Sequence, residues 1–201
     1  MRWPLGVSVN DNLQVLDLQR ALLEVSPERR ALAQSYRREI DQRQSVAAYL
    51  LLKEALRSQY GIAGNPQLAL GPNGKPFLPD YPGIHFNLSH CRRAVACAVA
   101  ESPVGVDIEV IAPVDAEVAR QVLSATERRE VERADAPEVA FARLWTRKEA
   151  VVKLTGEGID RQRLPNLLAE VEGIKLETVE NRAGGYVLTL ATRVVAKTGK
   201  I

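Results

Sequence analysis

The sequence is poor in cysteine, histidine and aromatic residues, and each shortage excludes something. Of 201 residues, two are cysteine, two are histidine and 5% are aromatic. Cys91 and Cys97 are six positions apart, a spacing that fits none of the common zinc patterns. If the run between them is one continuous strand, they lie too far apart for a disulfide. We therefore expect small buried thiols in a reducing compartment.

Long apolar runs and an excess of one charge are also missing. The longest apolar stretches, 94–100 and 47–52, are far shorter than the roughly 20 residues of a membrane-spanning helix. Residues 1–12 lack the basic and then apolar build of a secretory signal, so a cytoplasmic protein that does not enter a membrane is expected. The net charge of +2 gives no general attraction for nucleic acid.

What the sequence does contain is enough apolar material for a core. Hydrophobic residues make up 46% of the chain, which suits one ordinary domain or two small ones. The pattern predicts an α/β (α+β) fold in two similar halves that meet near 101–103. The capping box of Ser124 and Glu127 starts one helix. The predicted regions are a strand at 5–9, helices over 12–60, short strands over 67–111, helices from 115 onward with the longest at 137–156, and a hairpin at 173–192.

The first candidate site lies on the predicted strand 104–110. Alternation places its aliphatic residues on one face and Gly105, Asp107 and Glu109 on the other. The two carboxylates are then about 6.6 Å apart along the strand, close enough to bind one hard cation. The same alternation is also typical of a sheet face exposed to solvent.

The second candidate lies in the long helix predicted from Pro137. Trp145, Glu149 and Lys153 follow at i, i+4 and i+8 and therefore share one helix face. This spacing presents a carboxylate and an amine together. An exposed Glu–Lys pair beside a core tryptophan is the alternative interpretation.

Two glycine-containing turns do not match the common nucleotide-binding loops. The turn 71–77 could offer backbone amides and the Lys75 ammonium to a phosphate. A Walker A loop would need glycine in place of Ala69 and Ser or Thr in place of Pro76. The turn 156–158 follows a helix and lacks the third glycine of a dinucleotide fingerprint.

Ser89 and His90 combine a hydroxyl with an imidazole, yet they do not indicate a serine hydrolase. Neighbouring side chains on a strand point apart, and the sequence has no G-x-S-x-G turn. We interpret them as donors to a phosphate, or else as the cap of a strand end.

Taken in order, four motifs resemble one family: G-K-P, F-N-L-S-H, G-V-D-I-E and W-x-x-K-E-A-x-x-K. They are similar to the 4'-phosphopantetheinyl transferases of the surfactin-synthetase-activating type, and the resemblance covers about 26–158. It implies a pseudodimer of two α/β halves, 1–101 and 102–201, which hold coenzyme A and a metal in the cleft between them.

The resemblance also implies an activity and its partners. Such an enzyme, a holo-carrier-protein synthase, moves phosphopantetheine from coenzyme A to a serine hydroxyl of an apo acyl or peptidyl carrier protein and releases 3',5'-ADP. The carrier would serve fatty acid, polyketide or nonribosomal peptide synthesis, and the transferase would be monomeric.

Site residues follow from the same resemblance. Asp107, Glu109 and Glu149 would be ligands of Mg²⁺, which favours such oxygen donors, and Mn²⁺ could replace it. Glu149 would also deprotonate the carrier serine, and Lys153 would neutralise the pyrophosphate. Leu32 stands where the family often has a lysine. The residues expected to bind coenzyme A are Arg29, Arg43, Gly74, Lys75, Pro76, Ser89, His90 and Lys153.

Two other functions would use some of these residues. A protein that only docks carrier domains would keep the cleft but would not need the three carboxylates and Lys153. A metal-dependent nuclease or other phosphotransferase would need the carboxylates. A nuclease would also want a basic, aromatic surface, which the composition does not favour.

Overall fold

The computed structural model describes residues 3–4, 6–71 and 73–194. Within these residues the main sheets are two three-stranded antiparallel sheets, and a short pair of strands lies beside them. The strands are β1 (Val7–Asn10), β2 (Ala69–Leu70), β3 (Pro76–Phe77), β4 (His85–His90), β5 (Val95–Ala100), β6 (Val104–Val110), β7 (Ile174–Asn181) and β8 (Tyr186–Arg193). The helices are α1 (Leu18–Leu23), α2 (Pro27–Ser35), α3 (Glu39–Tyr60), α4 (Ala116–Val122), α5 (Ala125–Arg133), α6 (Pro137–Thr155) and α7 (Leu167–Glu170).

The first sheet has the order β1-β5-β4 and is covered by α3. This helix begins with acidic residues in its first turn, which suit the positive end of the helix dipole, and ends at Gly61 with φ +68°. Its inner face buries Val46, Leu52 and Leu56. The predicted strand at 5–9 is found at β1, although Leu5 itself lies outside the described residues.

The second sheet has the order β6-β8-β7 and is covered by α6. The predicted hairpin and the helix from Pro137 are confirmed, and Gly156 ends that helix with φ +72°. The capping box of Ser124 and Glu127 is confirmed at the start of α5. In both sheets the first strand is followed along the chain by the long helix that covers the sheet and then by two further strands. The last of these strands lies in the middle of its sheet.

One sequence prediction is confirmed and another needs correction. The region 12–60 is helical as expected and contains α1, α2 and α3. Cys91 and Cys97 are buried and free as expected. The run between them is not one strand, because β4 ends at His90 and the Cys91 amide turns back onto the Ala94 carbonyl at 2.9 Å. None of the described helices is long and apolar enough to cross a membrane.

Side chains join the two sheets where β4 lies beside β6. These strands belong to different sheets, so the facing amides of β6 find no main-chain partner on β4. Asn87 Oδ1 accepts a hydrogen bond from the Val106 amide at 2.8 Å, and Ser89 Oγ accepts one from the Ile108 amide at 3.3 Å. Both side chains are 5% exposed. We call this joint the seam.

Candidate functional site

Helix α6 packs directly on β6 at Gly105. A Cβ at this position would lie 2.1 Å from the Ala150 carbonyl oxygen and 2.4 Å from the Leu154 nitrogen. Only glycine therefore allows the helix to approach so closely. The alternative of a solvent-exposed face is wrong here, because Asp107, on the same strand, is 2% exposed.

Asp107, Ser89 and Lys153 form a hydrogen-bonded cluster where β4, β6 and α6 meet. Asp107 Oδ1 accepts from Lys153 Nζ at 2.5 Å and from Ser89 Oγ at 2.8 Å. Lys153 Nζ also donates to Ser89 Oγ at 2.9 Å. The alternative of an exposed Glu149–Lys153 pair is wrong, because Lys153 forms its ion pair with Asp107.

Glu109 and Glu149 lie beside this cluster and are unfavourable as anions. Burial, and then the charge of Asp107, raises the pKa of Glu109 to about 7. The same two causes raise the pKa of Glu149, while Lys153 opposes the shift. Trp145, a core residue in the alternative interpretation, donates from Nε1 to Glu109 Oε1 at 3.2 Å. Three carboxylates therefore lie near a single ammonium group, so the electrostatic environment favours the binding of another positive charge.

The side chains fit a hard cation, although they do not form a finished metal site. Among the described residues no three His, Cys, Asp or Glu side chains are already arranged to hold an ion. Asp107 Oδ2 is buried and has no hydrogen-bond partner, which is costly for a carboxylate oxygen. Mg²⁺ commonly uses one or two carboxylates and completes its shell with water and substrate phosphates. An ion bound in this way would satisfy Asp107 Oδ2.

Several residues expected to bind the nucleotide lie close to the cluster. Gly74 and Pro76 line a cavity of about 220 Å³ together with Lys153. His90 ends β4 next to Ser89, and its pKa is lowered by partial desolvation of the imidazole and then by the Lys153 ammonium. The Ser89 hydroxyl bonds to Asp107 and Lys153 rather than to His90, which gives no support to a serine hydrolase.

Lys75 extends toward the end of α6. Its Nζ donates to the main-chain oxygens of Lys153 at 2.5 Å, Leu154 at 3.2 Å and Val104 at 3.3 Å. Its pKa is lowered by burial. Contact of Lys75 with a phosphate stays a prediction.

Arg29 and Arg43 line other cavities. The Arg29 guanidinium lies 5.2 Å from the centre of the Tyr49 ring, in a cavity of about 280 Å³ that Leu32 and Pro76 also line. Arg43 donates to Glu39 Oε1 at 2.5 Å and to the main-chain oxygens of Leu13, Gln14 and Leu16. Their contacts with a 3'-phosphate stay predictions.

Sequence reasoning missed the buried Lys148. Its side chain is 0% exposed, and Nζ lies 2.9 Å from Glu127 Oε2. The same Nζ donates to the carbonyl oxygens of Leu164 and Pro165, each at 2.8 Å. Lys148 therefore anchors α6 to α5 and to residues 164–165, which follow α6 in the chain. Helical spacing alone gives no signal for such a distant partner.

Asn87 was also missed, although the sequence does carry a signal for it. A polar residue between Phe86 and Leu88 in a buried strand needs a hydrogen-bond partner. It lies two positions before Ser89 and therefore on the same face of β4. This placement indicates a role beside Ser89, which the seam confirms.

Comparison with known proteins gives a consistent result. Residues 103–192 match the family described as the 4'-phosphopantetheinyl transferase superfamily. The chain is 38% identical to the 4'-phosphopantetheinyl transferase psf-1 of Bacillus pumilus over 138 residues, which cover 67% of this chain and 59% of that protein. It is 30% identical to the 4'-phosphopantetheinyl transferase Sfp of Bacillus subtilis strain 168 over 157 residues, or 77% of this chain and 70% of Sfp.

A shorter match is to AcpT, which is also named as a 4'-phosphopantetheinyl transferase. The 4'-phosphopantetheinyl transferase AcpT of Salmonella typhi is 43% identical over 97 residues, which cover 45% of this chain and 50% of AcpT. The matches thus span 50% to 70% of the length of these three relatives.

Proposed function

Because this chain belongs to the 4'-phosphopantetheinyl transferase superfamily, we propose that it transfers the phosphopantetheine arm of coenzyme A to a serine of an apo acyl or peptidyl carrier protein. In this reaction a bond forms between the serine oxygen and the β-phosphorus of coenzyme A. The bond from that phosphorus to the bridging oxygen breaks, and 3',5'-ADP leaves. The serine proton passes to a carboxylate of the enzyme.

The observation that carries the proposal is the contact of three motifs at one point. Ser89 belongs to F-N-L-S-H, Asp107 to G-V-D-I-E and Lys153 to W-x-x-K-E-A-x-x-K, and their side chains are bonded to one another. Residues of G-K-P line the adjoining cavity with Lys153. Motifs that are far apart in the sequence therefore contribute to one polar cleft next to a space for substrate.

Asp107, Glu109 and Glu149 are the proposed ligands of Mg²⁺, or of Mn²⁺ in its place. The unpartnered Asp107 Oδ2 and the raised pKa values of Glu109 and Glu149 support this role. A bound ion would neutralise the phosphates and make the phosphorus easier to attack. With Lys153 the cleft would then match the charge of a pyrophosphate.

Glu149 and Lys153 are the proposed catalytic residues. Burial raises the pKa of Glu149 toward the working pH, which favours a general base that accepts the serine proton. The Lys153 side chain is only 28% exposed, so its ammonium would strongly stabilise a negative charge that develops on the leaving 3',5'-ADP.

The nucleotide is proposed to lie on the side of the cleft formed by the first half of the chain. Gly74, Pro76, Ser89 and His90 would contact it near Lys153, and Arg29 and Arg43 would face its outer phosphate. The repeated strand, helix and two-strand connectivity supports a pseudodimer with halves 1–101 and 102–201, and we propose that it acts as a monomer.

The test is to incubate the protein with coenzyme A, Mg²⁺ and several apo carrier proteins and to weigh each carrier by mass spectrometry. The proposal expects at least one carrier to gain one phosphopantetheine group, with 3',5'-ADP released in equal amount. Carriers that bind without any mass change would favour a docking protein. Cleavage or retention of nucleic acid in a gel shift, with every carrier unmodified, would favour a nuclease.

A further inference from the structure

The Lys75 ammonium has used all its hydrogen-bonding capacity inside the protein. An ammonium group has three N–H donors, and Lys75 Nζ meets three main-chain oxygens, those of Lys153, Leu154 and Val104. Lys153 and Leu154 lie in the last turn of α6, where carbonyls lack helical partners and carry the negative end of the dipole. A phosphate would have to displace these contacts to bind the same amine.

The loop around Lys75 is closed on itself and fixed to the same helix end. The Gly71 amide donates to the Lys75 carbonyl at 2.9 Å, and the Gly74 amide donates to the Gly71 carbonyl at 3.0 Å. Asn73 Nδ2 donates to the Gly156 carbonyl at 2.8 Å. Asn73 and Lys75 therefore both donate hydrogen bonds to the C-terminal end of α6.

Lys153 is the residue whose placement depends on these contacts. Its main-chain oxygen accepts from Lys75 at 2.5 Å, while its own Nζ reaches Asp107 Oδ1 at 2.5 Å. A lysine side chain has four rotatable bonds and loses much entropy when its ammonium is fixed. Fixing the main chain at Lys153 limits where its ammonium can go and favours its contact with Asp107.

We propose that Lys75 is a positioning residue, which fixes the end of α6 so that Lys153 meets Asp107, and that it does not contact the 3'-phosphate of coenzyme A. This inference rests on the proposed function. It assigns Lys75 a different task from the phosphate contact that the resemblance implies. It also predicts that loss of Lys75 acts through Lys153 and leaves nucleotide preference unchanged.

The experiment measures kcat and KM for coenzyme A and dephospho-coenzyme A with one apo carrier. The variants are Lys75→Met, Lys153→Ala and the double variant. A small misplacement of a reacting group lowers the reaction rate strongly, so Lys75→Met should lower kcat by about tenfold to 10²-fold. The ratio of kcat/KM for coenzyme A to kcat/KM for dephospho-coenzyme A should stay unchanged. In the Lys153→Ala background Lys75→Met should cause little further loss.

Lys53→Met is the matched control, since Lys53 Nζ also donates to a main-chain oxygen, that of Glu24 at the end of α1. It should leave kcat unchanged. Asn73→Ala serves as a second variant in case Lys75→Met does not fold. Asn73 carries no charge, and its loss should lower kcat by a smaller factor without changing the nucleotide ratio.

Three results would overturn the inference while leaving the proposed function intact. The first is that the parent enzyme is active but the Lys75→Met variant shows a smaller preference for coenzyme A over dephospho-coenzyme A. The second is that the loss of kcat in the double variant equals the product of the losses in Lys75→Met and Lys153→Ala. The third is an unchanged kcat in both Lys75→Met and Asn73→Ala. A parent protein that modifies no carrier would instead count against the proposed function itself.

Discussion

Lys153 donates a hydrogen bond of 2.5 Å to Oδ1 of Asp107 and so joins α6 to β6 across 46 residues of sequence. The two elements can approach so closely because Gly105, two residues before Asp107, has no side chain. The contact places one ammonium beside three carboxylates, and the proposed chemistry depends on it. Packing at Gly105 and hydrogen bonding at the seam therefore support the site as much as its own residues do.

Gly105→Ala should destabilise the protein severely. The new methyl group would meet main-chain atoms of α6 at 2.1 and 2.4 Å, so helix and strand must separate. We expect the free energy of unfolding to fall by at least about 3 kcal/mol, the upper end of ordinary overpacking. Urea denaturation measures it. Gly83→Ala, where nothing lies within 4 Å, is the control, and an equal small effect in both variants would contradict the close packing.

Asn87→Ala should weaken the seam. Without Asn87 Oδ1 the buried Val106 amide loses the partner it has at 2.8 Å, and an unsatisfied buried donor costs about 1 to 3 kcal/mol. Chemical denaturation of the variant should show this loss. Asn12→Ala is the control, because Asn12 makes no side-chain cap bond and is exposed. A loss no larger than that of the control would show that the seam does not depend on Asn87.

The sequence could predict what depends on local spacing. Alternation along 104–110 correctly placed Asp107 and Glu109 on one strand. The capping box located the start of α5 and Pro137 located the start of α6. The sequence could not predict that Lys153 pairs with Asp107 rather than standing in an exposed pair with Glu149. That choice depends on how α6 lies across β6, which is set by long-range packing. The contacts of Lys75 with the end of α6 could not be predicted from the sequence for the same reason.

Glu109 should make the metal-free protein less stable as pH rises. Its pKa is about 7 when folded and about 4.3 when unfolded, so between these values the folded state binds more protons. The stabilisation is present below the unfolded value and is lost as pH rises through about 7. Denaturation in chelator from about pH 5 to about pH 8 should show this decline.

Glu109→Gln is neutral at every pH in this range and should therefore give a shallower decline. Glu101→Gln, which changes an exposed carboxylate, should leave the slope as it is in the parent. If the Glu109→Gln protein declined as steeply as the parent, the buried carboxyl that titrates in this range would not be Glu109.

The most direct measurement of the central claim is the rate of carrier modification by Asp107→Ala and Glu149→Gln at a series of Mg²⁺ concentrations. Asp115→Ala, which removes a helix-capping carboxylate away from the cluster, is the control. Loss of a ligand or a base should reduce kcat by roughly 10²-fold or more in the first two variants, and Asp107→Ala should in addition need more Mg²⁺. The control should keep the parent's rate. Folded Asp107→Ala and Glu149→Gln proteins that modify the carrier at the parent's rate and Mg²⁺ requirement would contradict the account.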